Sequence, residues 1–167
     1  KVPISYFVEK EYADVAKRIF GKTAEMMEFY SKRLDYDYPW QKYHQITAQE
    51  YVSGAMENTT AVLHSSMAQQ DAEALNDQNI WEATIAHELF HHWFGDLVTA
   101  ESWANLTVNE SFANYSEYLW FEYKYGKDYA DYHLNRDIVG YKNSGSFEKD
   151  LVRFNYKERE DMFDAVS

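Results

Sequence analysis

His87-Glu88-Leu89-Phe90-His91 is followed, after 18 intervening residues, by Glu110. On an α-helix, residues four apart lie about 40° from each other around the axis, so both imidazoles leave the same face. Two neutral histidines leave the double charge of a zinc ion intact, and one carboxylate is the hard anionic ligand that lowers it. Three protein ligands leave the fourth tetrahedral position for water, the open arrangement of a catalytic zinc site. Glu88 stands one step round the helix from His87, close to such an ion but badly angled to ligate it. A general base that takes a proton from metal-activated water belongs there. His87, His91 and Glu110 are therefore the candidate metal ligands, and Glu88 the candidate catalytic base. The pentad alone is modest evidence: composition would produce one with a chance of roughly 0.02, on an amphipathic helix with solvated or core histidines.

These residues need helices to carry them, and the sequence supplies candidates. Apolar spacing predicts a helix over residues 80–94, with Asn79 as its cap and Gly95 at its end. A second helix, over 108–125, stops at Gly126 and places Glu110 near its start; a third covers 128–141. Residues 43–48 and 59–65 have the β-branched and aromatic content of strands, and 54–58 lie between them. Residues 11–33 read as helical, broken at Gly21, with Thr23 able to cap a second part. Tyr38-Pro39-Trp40 is a turn, 71–79 a polar connection and 142–146 a loop, and the remaining tail mixes helix and loop. There is no repeat, low-complexity tract or Pro/Gly-rich linker, so residues 1–167 are expected to form a single domain.

Composition adds constraints. With 46% hydrophobic and 18% aromatic residues there is ample material for a core. No stretch approaches 18 apolar residues, so no transmembrane segment is expected. The absence of cysteine excludes disulfides and thiolate ligands, leaving nitrogen and oxygen to hold any metal. Charge is uneven: residues 43–123 contain no lysine or arginine but 12 acidic residues, whereas the flanking segments are nearly balanced. The whole net charge of −12 thus belongs to the interval holding the candidate ligands. The interval reads either as a solvated acidic surface or as an electronegative pocket that would gather a divalent cation and a positively charged substrate end, and such a surface makes nucleic acid a poor partner.

The pentad with Glu110, the continuation His92-Trp93-Phe94-Gly95-Asp96-Leu97-Val98-Thr99, and Asn109-Glu110-Ser111-Phe112-Ala113 resemble the aminopeptidase N family of gluzincins. Gly54-Ala55-Met56-Glu57-Asn58 matches that family's exopeptidase motif, and the two motifs in this order are highly specific. The resemblance extends at least from residue 38 to residue 167. It implies an α+β, thermolysin-like zinc peptidase domain with a small, mostly antiparallel sheet packed beside helices. Asp96 stands where many members have Asn, and Ser111 where Gly is frequent; neither is a ligand position.

In that reading one Zn2+ per chain sits on His87, His91 and Glu110, and Glu88 is the base of an N-terminal peptide hydrolysis. Glu57 would bind the free α-ammonium of a peptide substrate, while backbone at Gly54 and Ala55 lines the extended chain, where a glycine permits close approach. Thr99, Asn109 and Glu117 are candidates for orienting the ligands; Glu117 lies two turns beyond Glu110 on the same helical face. His92 is read as a packing or hydrogen-bonding residue, and His44, His64 and His133 as structural.

The family's oxyanion-binding tyrosine follows a motif resembling Phe163-Asp164-Ala165-Val166-Ser167, which would place it beyond residue 167. The chain is accordingly expected to be a catalytic domain truncated at both ends. Loss of one oxyanion donor lowers turnover by about 100- to 1000-fold, so zinc binding with little or no peptidase activity is anticipated. A thermolysin-like endopeptidase and a zinc-binding scaffold without chemistry are the alternatives; 54–58 argues against the first and Glu88 against the second. Epoxide hydrolysis on the same site, known among relatives, has no specific support here. Nothing in the sequence assigns a compartment, an oligomeric state or a preferred first substrate residue.

Overall fold

Strand-forming segments alternate with helical ones over the first third of the chain, and that alternation decides how the sheet is built. The computed structural model describes residues 1–146 and 148–164. A strand β1 (Ile4–Phe7) leads through a 3-10 turn into α1 (Ala16–Phe20) and α2 (Thr23–Leu34), then into β2 (Tyr43–Ala48), β3 (Ala55–Met56) and β4 (Ala61–Ser65). The order across the sheet is β1-β2-β4-β3. β1 and β2 are parallel, with Ile4 opposite Tyr43, because α1 and α2 carry the chain back to its starting end. β2 and β4 are parallel as well: residues 49–60 cross to the far edge, lay down β3 and return. β3 and β4, joined by the short connection 57–60, are antiparallel. The expected mostly antiparallel sheet is therefore corrected to a mixed one, two of whose three pairings are parallel. Local composition marks a strand, whereas its direction is imposed by the crossover that precedes it.

The polar connection holds a short helix, α3 (Ala74–Asp77), whose Ala74 N–H donates to Asp71 Oδ1 at 2.8 Å. Then come α4 (Glu82–Phe90), α5 (Thr107–Tyr125) and α6 (Lys127–Asn143). Gly126, at φ +91°, separates α5 from α6 in a conformation that side-chain-bearing residues rarely adopt. α4 is shorter than its apolar pattern suggests. Asp96 N–H donates to His91 O and Val98 N–H to Trp93 O, both at 2.9 Å, and these bonds turn the chain back just after His91. Asn79 does act at the helix entrance: its Oδ1 accepts from Trp81 N–H, while its amide donates to Ile19 O.

Helix α4 runs through the middle of the core. Its Ile85, Ala86, Leu89 and Phe90 are buried together with Met26 and Tyr30 of α2, Tyr43 and Val62 of the sheet, and Trp120 and Phe121 of α5. Each fully buried side chain of this size contributes about 1.5–3 kcal/mol. Polar links then fix the angle of α4. Glu82 is buried and accepts from Trp120 Nε1 at 2.7 Å, from Lys22 Nζ at 2.5 Å and from the Tyr125 hydroxyl, which locks the start of α4 to α5. Thr23, expected as a cap, lies inside the first turn of α2, because its hydroxyl is used elsewhere. It donates to Phe20 O and accepts from Gln45 Nε2 at 2.8 Å. Gln45 Oε1 in turn meets His64 Nε2 at 3.1 Å, and Trp81 Nε1 donates to His64 Nδ1 at 3.2 Å. Burial pushes His64 down to about 3, so this fully satisfied imidazole is neutral. Among the described residues no helix is long and apolar enough to cross a membrane.

Candidate metal centre

The i, i+4 spacing places both imidazoles on the face of α4 that looks toward the first turn of α5. There Glu110 Oε2 lies 3.3 Å from His87 Nε2 and 3.6 Å from His91 Nε2. A tetrahedral ion with bonds of about 2.0–2.1 Å requires donors about 3.3–3.4 Å apart. The donor set and its spacing therefore fit a tetrahedral metal ion with one position left over. All three ligand atoms lie within 4.8 Å of one another, so the three side chains could hold such an ion together.

The electrostatics have the same sense. Burial disfavours charge on His87, but Glu110 and Glu117 outweigh it and raise the imidazole to about 10. Burial would likewise raise the Glu110 carboxyl, yet the two imidazoles outweigh it and hold it at about 2. These side chains form a cluster that favours positive charge. Among the described residues, no lysine or arginine forms an ion pair with Glu57, Glu88, Asp96, Glu110 or Glu117.

Each imidazole is steered by its second nitrogen. His87 Nδ1 donates to Glu117 Oε1 at 2.9 Å, so the carboxylate two turns along α5 fixes the ring and its tautomer. His91 Nδ1 donates to the Phe94 carbonyl at 3.0 Å. That contact requires Gly95, which sits at φ +143°; a Cβ there would come 3.0 Å from His91 O and 3.1 Å from His91 Nδ1. Thr99 and Asn109 stand one step further out. Thr99 Oγ1 donates to Gly95 O at 2.6 Å, and Asn109 Oδ1 accepts from Ala100 N–H at 3.0 Å. Thr99 closes the loop after α4 on itself and Asn109 fastens that loop to α5; neither bonds a candidate ligand side chain.

Glu88 is only 6% exposed. Burial, opposed by the two imidazoles and assisted by Glu57 and Glu110, raises its carboxyl to about 7, and its Oε2 accepts no hydrogen bond among the described residues. A carboxylate that titrates near neutrality with a free oxygen is chemically a proton acceptor in waiting. Glu57 follows the edge strand β3, and its carboxylate lies within 4.8 Å of ligand atoms of both Glu88 and His91. Gly54 turns its carbonyl inward to Ser65 N–H at 2.7 Å, and a Cβ there would meet nothing within 4 Å. Its own chain therefore makes no demand for glycine at that edge. Ala55, opposite His64 in β4, lies on the outermost strand of the sheet.

A sequence profile describing the peptidase family M1 domain matches residues 19–167. This chain belongs to peptidase family M1. It is 39% identical over 119 residues to aminopeptidase N of Streptomyces lividans, covering 70% of this chain and 14% of the relative. It is 38% identical over 136 residues to aminopeptidase N of Canis lupus familiaris, covering 79% and 13%. Against a probable aminopeptidase 1 of Saccharolobus solfataricus it is 30% identical over 154 residues, covering 86% and 19%. The chain thus spans 13% to 19% of the length of these relatives.

Two features of this M1 domain escape a reading of its motifs. The first is the Phe94 carbonyl, a backbone group without a residue signature, for which Gly95 is the only trace. The second is the reach of His92. It is fully buried and stacked on Tyr38; its Nδ1 donates to Glu88 O at 3.2 Å and its Nε2 accepts from Thr60 N–H at 2.9 Å. Burial pushes His92 down to about 4, so its 3.7 Å approach to Asp96 is not an ion pair. Asp96 itself is raised to about 6, by burial and then by Glu57, against a lowering hydrogen bond from Thr59. Of the tail motif beginning at Phe163, residues Ala165, Val166 and Ser167 lie outside the described residues.

Proposed function

We propose that this M1 chain is the catalytic core of a zinc aminopeptidase, a single thermolysin-like module that removes the first residue of peptides with a free N-terminus. The observation that carries the reading is the meeting of His87, His91 and Glu110 beside a buried Glu88 whose Oε2 has no hydrogen-bond partner among the described residues. The aminopeptidase names of the M1 relatives agree with it. Bound by His87, His91 and Glu110, a zinc ion would polarise the scissile carbonyl and acidify the attacking water.

The remaining work falls to the chain's own groups. Edge strand β3 offers backbone to an extended peptide, and Gly54 leaves room for its approach. Glu57 takes the α-ammonium and sets the register, so that the first peptide bond falls at Glu88. Glu88 accepts the proton of the attacking water and passes it to the departing amine. Glu117 and the Phe94 carbonyl hold the two imidazoles in their ligating tautomer.

The test is metal analysis of the purified protein beside Glu110→Gln, together with hydrolysis of free and N-acetylated aminoacyl substrates. One zinc per chain, lost in the variant, and selectivity for the free amine are expected. A protein that holds no zinc under metal-replete conditions, or that prefers the acetylated substrate, would overturn the reading.

A further inference from the structure

A cavity of about 310 Å³ lies at the start of α4, and its lining shares no residue with the candidate metal centre. Helix α1, helix α3 with the connection after it, the first turn of α4, the last turn of α5 and the first turn of α6 meet there. One wall is aromatic: Tyr125 and Tyr129 pack with ring centroids 4.8 Å apart, and Leu75 adds an aliphatic surface. Of the charged groups, Glu82 is fully engaged, since Trp120, Lys22 and Tyr125 all donate to it. The Lys22 ammonium has three N–H groups; Glu82 and the Tyr125 hydroxyl take two, which leaves one. Arg18 donates only to neutral acceptors, Ala72 O at 3.1 Å and Asn76 Oδ1 at 2.9 Å. Arg18 and Asp77 line the same space, yet neither forms an ion pair among the described residues.

Two cations and two anions give this cavity no net charge, and one charge of each sign is left without a partner beside an aromatic wall. A small zwitterion with an apolar group is complementary to that arrangement, and the volume is at the low end of small-molecule sites, about 300–1,000 Å³. We propose that the cavity binds a free α-amino acid with an apolar or aromatic side chain. The carboxylate meets Arg18 and the remaining N–H of Lys22, the ammonium meets Asp77, and the side chain lies on Tyr125, Tyr129 and Leu75. A simple anion such as phosphate would be opposed by Asp77, and a simple cation by Arg18. On the aminopeptidase reading, an amino acid is also the class of product released, so the site would report product; the binding itself does not rest on that reading.

Titration of the metal-free, 15N-labelled chain with L-phenylalanine, followed by NMR, reads the site without turnover. Backbone resonances of Leu75, Tyr125 and Tyr129 are expected to shift and saturate, while those of His87 and Glu110 stay in place. L-Phenylalaninamide lacks the carboxylate and N-acetyl-L-phenylalanine the ammonium. Each should bind about two- to fivefold more weakly, the range of a solvent-exposed charge pair. Asp77→Asn and Arg18→Gln should each weaken L-phenylalanine by a similar factor, with the spectrum of the folded chain retained. The two ligand analogues keep the test independent of how either variant folds. No saturable shift around Tyr125, or equal affinity for L-phenylalanine and both analogues, would overturn the proposal. Shifts confined to the metal centre, or an equal response to inorganic phosphate, would overturn it as well.

Discussion

Replacing Glu117 by alanine removes the acceptor that holds His87, and the structure sets the size of the effect. The Nδ1–H to Oε1 bond is 2.9 Å long, and the Glu117 side chain is 27% exposed. A hydrogen bond to a charged group is worth about 1.5–3 kcal/mol, and this degree of exposure places it in the lower half, about 1.5–2 kcal/mol. At about 1.4 kcal/mol per factor of ten, zinc affinity should fall by about 10- to 30-fold. Glu117→Gln keeps an acceptor without its charge and should lose roughly half of that free energy, about three- to fivefold in affinity. Competition with a chromophoric chelator at neutral pH measures each constant, and circular dichroism checks that the fold is kept. Thr99→Ala is the comparison, because Thr99 bonds Gly95 O and not a ligand ring; it should change affinity by less than about threefold. An alanine variant at position 117 that binds zinc within twofold of the parent would refute the steering role. So would a Thr99 variant that is equally impaired.

Glu88→Gln should retain zinc while turnover of an aminoacyl anilide drops by about 100- to 10,000-fold, the range of a lost general base; metal content beside kcat checks it. Gly95→Ala forces a side chain against His91 at φ +143° and should cost about 1–3 kcal/mol, read by urea denaturation, with weakened zinc binding alongside. His64 gives a pH dependence. Burial holds it at about 3 in the folded chain, below an ordinary value of about 6.5, so the unfolded chain takes up the proton first as pH falls. Its contribution is whole above about pH 6.5 and declines toward about pH 3 by up to about 1.4 kcal/mol per unit. Urea titrations of His64→Gln should therefore lose stability less steeply across that window than the parent, and equal slopes would refute the assignment.

What the sequence made legible is what helix geometry dictates locally. The facing i, i+4 histidines and the two-turn spacing of Glu110 and Glu117 follow from 3.6 residues per turn, and the stop at Gly126 from glycine's freedom to take positive φ. The sheet was less accessible. Tyr43–Ala48 reads as a strand on composition, but its parallel partners β1 and β4 are chosen by crossovers spanning many residues. β1 has too few residues for a periodic signal. Thr23 has a capping side chain, yet a buried Gln45 from a distant strand claims it. The pattern over 80–94 is apolar beyond the helix proper because the turn after His91 packs Trp93 and Phe94 into the same core. Thr99 and Asn109, candidates for orienting the ligands, bond Gly95 O and Ala100 N–H instead, whereas the group that meets His91 Nδ1 is a carbonyl that any residue could have supplied.

His92 ties two parts of the centre together. One imidazole, wedged between the Glu88 carbonyl and the Thr60 amide, joins the loop bearing Glu57 to the helix bearing the histidines. On the aminopeptidase reading proposed above, the grip on a chain end and the point of scission would thereby be set on a common gauge, one ring wide, and trimming length would be a property of the scaffold rather than of the visitor.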